Sequence, residues 1–539
     1  MSFFVALEIE LKELKNMIQE LIDNISETSI QNFIRSKNSA FKEINEDCCD
    51  IEIDNRFSDL KKLGYIDYDD SDSLLVFSCK YNDDLSSRSS KKMQFEIAKN
   101  LLKEDFKDGA VFVFYDNEGR FRFSFIRKNY GDKEQKFTPW KRYTYFVDKE
   151  TQTNKTFKEC IGKASFSSLE DIQKGFSLEP LSDEFFYRYK EIYGNFVGYI
   201  TGKYYKKKNS KWEEADYADH EPDFIQFKKE FNSNHKQVRD YVKKLLGRLV
   251  FLKFIEKKGW LGKIEETKEI EPNFLENVFK NSSYKDDFLD KVLEEVIFES
   301  LNNPIGNTNK CEELKKYSFP YLNGGLFEKD ELDNKSIRFP EEYFQEIFEF
   351  FNQYNFTIDE NDPNDAEVSV DPEMLGHIFE NLLEDNKDKG AFYTPKEIVH
   401  YMCQESLIEY LCTSLNFDTD NEKDLITELV KTKEINKDLK GNLIEVEKAL
   451  EKVKICDPAI GSGAFPMGLL QEIFTIKQSI YYNRHNTLDN FPAGEEKLKI
   501  IQNNIYGVDI EQGAVDIARL RFWLSLVVEE TKATPLPNL

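Results

Sequence analysis

Histidine is scarce in this chain of 539 residues, five in all, and its eight cysteines are scattered. Cys48 and Cys49 are neighbours and no Cys-x-x-Cys pair occurs, so neither a zinc arrangement nor a thiol redox motif is spelled out. Long apolar runs are missing too. Nothing approaches the roughly 18 residues of a membrane span, and the opening "MSFFVALEIELKELK" is too short and too acidic for a signal peptide. A reducing cytoplasm is the expected setting. Positive charge is in deficit: 74 Lys and Arg against 100 Asp and Glu give a formal net charge of -26. That excludes a general nucleic-acid coat, because acidic surfaces repel the phosphate backbone. It leaves room for an enzyme that confines its cations to one groove. "YYKKKNSKW" (204–212) and "KKLLGRLVFLKFIEKKGWLGK" (243–263) are local basic clusters. The second also reads as an amphipathic helix with Leu246, Leu249, Val250 and Phe254 facing a core.

What is present suits packed cores: 40% hydrophobic residues, 14% aromatics, and a length fitting roughly two to four domains. Residues 1–150 read as a small α/β domain. Strand-like runs are "LLVFSCKY" (74–81), "GAVFVFYD" (109–116) and "FRFSFI" (121–126), with a helical "SSKKMQFEIAKNLLKE" after the first and a "DNEG" turn at 116–119. From 151 to 370 apolar residues recur mostly at helical intervals. A second α/β section begins near 371, interrupted by a charged, helix-prone stretch at 419–452 that is expected to lie on the surface.

The most informative stretch is "VKICDPAIGSGAFPMGLL" (453–470). "KIC" signals a short buried strand, ended at Asp457-Pro458 because proline removes an amide donor. Gly461 and Gly463 allow backbone angles closed to other residues and let a ligand approach closely. A helix begins near Ala464 with Pro466 in its first turn, and unpaired amides at such a helix start suit a carboxylate-bearing ligand. The dinucleotide fingerprint fails, since Pro466 replaces the third glycine and the next strand-terminal acid, Asp509, lies far downstream. No GxxxxGK[ST] phosphate loop occurs. Asp457, standing before the glycines, would repel a diphosphate and receive a positively charged, methionine-like end.

Two more pieces flank it. In "NNIYGVDIEQGAVDIARLRFWLSLVVEE" (503–530), Asp509 ends a strand, placed either to accept ribose hydroxyls or to serve the following helix start. In "KGAFYTPKEIVHYMCQESLIEYL" (389–411), Pro395 opens a helix carrying Val399, Cys403, Leu407 and Leu411 at four-residue intervals. Thr394 just outside reads as a contact for a ligand's carboxylate or as an ordinary helix start.

In this order, "GAFYTP", "DPAIGSGAFP" and "IYGVDIEQGAVDIARLRFWL" closely resemble motifs X, I and II of gamma-class, amino-directed adenine DNA methyltransferases. Upstream, "FPYLNGGLFE" (319–328) and "DPEMLGHIFENLLE" (371–384) resemble the large type IIG restriction–modification proteins, where nuclease, helical connector, methylase and target-recognition parts share one chain. The resemblance implies an α/β architecture: a nuclease-like domain over 1–150, a mostly helical connector over 151–370, and the start of a Rossmann-like methyltransferase domain over 371–539. It implies S-adenosyl-L-methionine as cofactor. Tyr393, Thr394 and Pro395 would close over the methionine moiety, and Asp457, Ala459, Gly461 and Gly463 would hold its amino-acid end. Asp509 would bind the ribose, with Ile510 beside the adenine. Double-stranded DNA is the implied partner, the cytoplasm of a bacterium or archaeon the implied location, and methyl transfer to adenine's exocyclic amine the implied reaction.

The family's Asn-Pro-Pro-Tyr loop, which holds the flipped-out adenine in line with the methyl group, has no counterpart: none of the fifteen prolines is followed by another. The expectation is a truncated, N-terminal portion of a longer enzyme, inactive alone. The alternatives are a non-catalytic subunit of a split methyltransferase, completed by a second polypeptide, or a methyltransferase acting on protein or RNA. Near the N-terminus, "GYIDYDDSDSLLVFSCKY" invites comparison with metal-dependent restriction nucleases. It offers Asp67 or Asp69 as first acid, Lys80 as the lysine and Gln94 as a further relic, but Ser78 stands where a metal-binding carboxylate belongs. Mg2+ enters only if that domain is an active nuclease, and one hard oxygen ligand fewer argues against it. Otherwise Lys80 is a solvated strand end.

Overall fold

The computed structural model describes residues 16–48, 53–68, 73–85, 91–104, 109–128, 140–149, 154–177, 179–208, 211–216, 224–302, 311–322, 327–358, 365–374, 376, 394–488 and 490–530. Helix α1 (Glu27–Lys37) precedes a mixed sheet of seven strands in the order β1 (Lys42–Asp47), β2 (Phe57–Asp67), β3 (Ser73–Tyr81), β4 (Gly109–Tyr115), β5 (Phe121–Lys128), β6 (Trp140–Val147) and β7 (Asp365–Glu367). Strands β3 and β4 are parallel and are joined by α2 (Lys91–Glu104). The three strand-like runs read from the sequence are β3, β4 and β5, and the turn between the last two closes with Asp116 N–H on Arg120 O at 3.0 Å.

Side chains alternate across these strands, so the sheet buries both faces. Val76, Val111, Val113, Phe123 and Phe125 share one core with Ile30 and Phe33 of α1. Phe77, Cys79, Phe112 and Phe114 pack on the other face with Ile97, Ala98 and Leu101 of α2. The seventh strand is drawn from far downstream. Glu367 in β7 is 1% exposed and pairs with Lys91 of α2 at 2.6 Å.

The segment between the sheet's sixth and seventh strands is mostly helical, led by α3 (Glu179–Thr201), α4 (His235–Lys257) and α5 (Glu341–Asn352). Most of the basic cluster at 243–263 belongs to α4, whose Leu246, Leu249, Val250 and Phe254 are fully buried, as the amphipathic reading expects.

A second core gathers α6 (Lys396–Leu415), α7 (Asp420–Thr432), α8 (Leu443–Lys452), α9 (Ala464–His485), α10 (Ala493–Asn504) and α11 (Gln512–Glu529) around a parallel pair, β8 (Ile455–Asp457) and β9 (Ile505–Gly507). Two expectations are corrected here. The stretch 419–452 is no surface excursion: Ile426, Leu429, Val430, Leu439, Val446 and Leu450 are fully buried in this core. Its charges lie on the outer faces, and three- and four-residue spacing turns the apolar side chains inward. The "KIC" strand is not buried either. Cys456 is exposed, because β9 is the one strand paired with β8 among the described residues. No described helix is long and apolar enough to cross a membrane.

Candidate functional site

The chain leaving β8 and the chain leaving β9 stay zipped beyond the strands. Val508 N–H donates to Asp457 O at 3.0 Å, and Ile460 N–H donates to Val508 O at 3.0 Å. Pro458 then forces a turn, which Asp457 closes by accepting Ala459 N–H at 3.0 Å. Gly461 and Gly463 both take left-handed angles, φ 53 and 86, and a Cβ on Gly463 would stand 3.1 Å from Ala518 Cβ. Glycine is required at 463 on both counts.

Asp509 sits at the junction. One of its oxygens accepts Gly461 N–H at 2.9 Å and the other accepts Glu511 N–H at 2.9 Å. It therefore serves the helix start, as one reading expected, and also fastens the glycine turn. A carboxylate oxygen can accept more than one hydrogen bond, so both retain capacity for a ligand's hydroxyls. Beside the turn, Val508 and Ile510 are 63% and 91% exposed, an apolar surface next to a polar cradle.

Helix α6 starts at Lys396 with Pro395 as its cap, and Val399, Cys403, Leu407 and Leu411 are buried along it. It lies tight on α9: a Cβ at Gly468 would come within 2.9 Å of Cys403 Sγ and 3.0 Å of Val399 Cγ1. Thr394 is half-buried at the head of this helix, and Tyr393 lies outside the described residues. Below the turn, Glu472 of α9 is 2% exposed, holds His400 Nδ1 of α6 at 2.9 Å, and forms an ion pair with Lys433. Composition gave no sign of this cluster around the buried Glu472, which ties three segments together.

The proposed metal residues do not converge. Asp67 pairs across the hairpin with Ser73, while Lys80 pairs with Ser58 at the other end. Seven strand steps separate those ends, on the order of 20 Å. Asp67 instead forms an exposed ion pair with Lys42 at 3.3 Å, and Asp69 lies outside the described residues. Gln94 accepts Arg122 Nη1 at 2.6 Å on the α2 face of the sheet, away from Ser78. The acids in this part of the ladder are others: Asp59, at φ 49 in a bulge beside Ser58, and Glu27, paired with Lys61 at 3.0 Å, where Lys61 faces Ser78. Ser78 is fully buried, and among the described residues its Oγ has no hydrogen-bond partner. Among the described residues no group of three or more His, Cys, Asp or Glu could hold a metal ion. Among the described residues this corner brings together no set of carboxylates that fits Mg2+.

Residues 431–534 match the family described as "MmeI, DNA-methyltransferase domain". Over 371 residues, 65% of the chain, the sequence is 31% identical to a Methanocaldococcus jannaschii protein named as a type II restriction enzyme and methyltransferase. The match spans 30% of that relative's length. A solved structure of the type IIL restriction–modification enzyme MmeI in complex with DNA aligns at 19% identity and a TM-score of 0.35, over 56% of this chain and 37% of that one.

Proposed function

We propose that this chain binds S-adenosylmethionine at the Asp457–Gly463 turn as part of an adenine-specific DNA methyltransferase, a reading supported by the match of residues 431–534 to the MmeI DNA-methyltransferase domain and by the likeness to a type II restriction enzyme and methyltransferase. The observation that carries this is the Asp509 carboxylate, which reaches from the end of β9 to the Gly461 amide and keeps lone pairs for ribose hydroxyls. The donor set suits the ligand. Asp457 and the open first turn of α9 face opposite charges, an ammonium and a carboxylate, as an amino-acid end requires. Thr394 contributes a hydroxyl at the head of α6, and Ile510 and Val508 offer an apolar surface for a purine. Bound there, the cofactor supplies an electrophilic methyl group.

The test is calorimetric titration with S-adenosylmethionine. Wild type should bind and Asp509→Ala should lose at least tenfold in affinity; equal binding by both would overturn the assignment. The sequence has no Asn-Pro-Pro-aromatic string, so the chain by itself should transfer no methyl group to adenine in duplex DNA. Label incorporated by the purified chain alone would refute that. The site of action would be the cytoplasm, where the host's DNA lies.

A further inference from the structure

One side chain outside the glycine turn is hydrogen-bonded into it. Ser462 lies between the two left-handed glycines and is 2% exposed. Its carbonyl accepts a hydrogen bond from Arg521 Nη1 at 2.9 Å, and Arg521, on α11, is itself 3% exposed. The same peptide group is held at its other end, since Gly463 N–H donates to Ile460 O at 2.8 Å. The preceding residue is held by Asp509 through Gly461 N–H at 2.9 Å. From the far side the backbone of Gly376 closes on the pair. A Cβ there would lie 2.9 Å from Ser462 Oγ and 3.3 Å from Arg521 Nη1.

We propose that Arg521 is a positioning residue for the cofactor turn: its guanidinium fixes the Ser462–Gly463 peptide so that the neighbouring amides keep the orientation the ligand needs. The reasoning rests on glycine. The peptide rotates about ψ of Ser462 and φ of Gly463, and because Gly463 lacks a Cβ, steric barriers on its side do little to stop that rotation. Hydrogen bonds at its two ends must do that instead. Removing the guanidinium leaves a buried carbonyl without its charged donor, which is costly where water cannot replace it. The turn can then relieve that cost by rotating the peptide, which spoils the cradle without unfolding the domain. Arg521 touches no ligand in this scheme and acts through the turn.

The inference deepens the cofactor reading and rests on it, so the test has one arm that needs no ligand. In the ligand-free protein, hydrogen exchange across 459–467 should be faster in Arg521→Met than in wild type, with exchange along α11 unchanged. In the second arm, titration with S-adenosylhomocysteine should show roughly ten- to a hundredfold weaker binding by Arg521→Met. Arg521→Lys, which keeps a charged donor, should return to within about threefold of wild type, a rescue that loss of packing alone would not give. Should Arg521→Met fail to fold, Arg521→Lys and Arg521→Gln decide the matter, because affinity should fall as donor strength falls. Wild-type affinity in both, or unchanged exchange at the turn, overturns the proposal. A wild-type protein that binds no S-adenosylhomocysteine overturns the cofactor reading instead, and the exchange arm then judges Arg521 by itself.

Discussion

At the scale of single residues, the Glu472 carboxylate shows how a buried charge stabilises this fold. Burial works against its ionised form, yet Lys433 and His400 together hold its pKa below the usual glutamate range. A folded-state pKa below the unfolded value of about 4.3 stabilises the protein above that pH, and the contribution is lost as pH falls through the folded value. Glu472→Gln should cost about 3–5 kcal/mol at pH 7, because it leaves the Lys433 ammonium without its counter-charge. Urea titration checks this, and the deficit should shrink below about pH 4 as the wild-type carboxylate also becomes neutral. A deficit constant from pH 7 to pH 3 would reject the ion-network account. Gly463→Ala is a second case. With φ 86 and a new Cβ 3.1 Å from Ala518, it should lower stability by about 1–2 kcal/mol in thermal denaturation. The tight turn over Asp457–Gly463 was legible in the sequence because a proline and two glycines confine its backbone requirements to a few neighbouring positions. Glu472 and Arg521 were not, since each sits on a helix among apolar residues and gains its partner only when distant segments fold together.

Individual elements were readable where one rule governed them. Strands β3, β4 and β5 are nearly continuous apolar runs because both faces of the sheet are covered, and helix α6 keeps its four-residue spacing. Strand β2 went unread because two shifts in its pairing, next to Asp59 and Lys62, break the alternation that marks a strand. The same bulge hid the pairing of Ser58 with Lys80, and Glu27, which pairs with Lys61, is too far upstream for any spacing rule to join them. The stretch 419–452 was misread for another reason: composition averages over a helix, whereas packing depends on one face. Leu429→Ala should therefore cost about 2–5 kcal/mol, while Lys440→Ala on the exposed face should stay within about 0.5 kcal/mol. Chemical denaturation of both variants separates a core element from a surface one, and equal small effects would restore the surface reading.

At the scale of the whole molecule, the question is whether the two main cores unfold together. Helix α11 belongs to both. Leu520, Trp523, Leu524 and Val527 pack in the core that contains the seven-stranded sheet, and Phe522 and Leu526 pack in the core around β8 and β9. A second link runs through the segment that leaves β7. It pairs with the sheet at Glu367, caps its own helical turn where Asp371 Oδ1 accepts Met374 N–H at 2.9 Å, and reaches the glycine turn at Gly376. Sharing a helix makes the loss of either core expose apolar surface of the other, so independent melting is unfavourable. Calorimetry should show one transition over the described region, with calorimetric and van't Hoff enthalpies in agreement. Trp523→Ala should cost about 3–5 kcal/mol and lower that single transition without splitting it. If S-adenosylmethionine binds the glycine turn, it should raise the same transition as a whole, because a ligand that binds only the native state stabilises everything that unfolds with it. Two resolved transitions, with only the higher or the lower one moved by S-adenosylmethionine, would mean that α11 divides its loyalty unequally and that the core of the seven-stranded sheet folds without regard to the glycine turn.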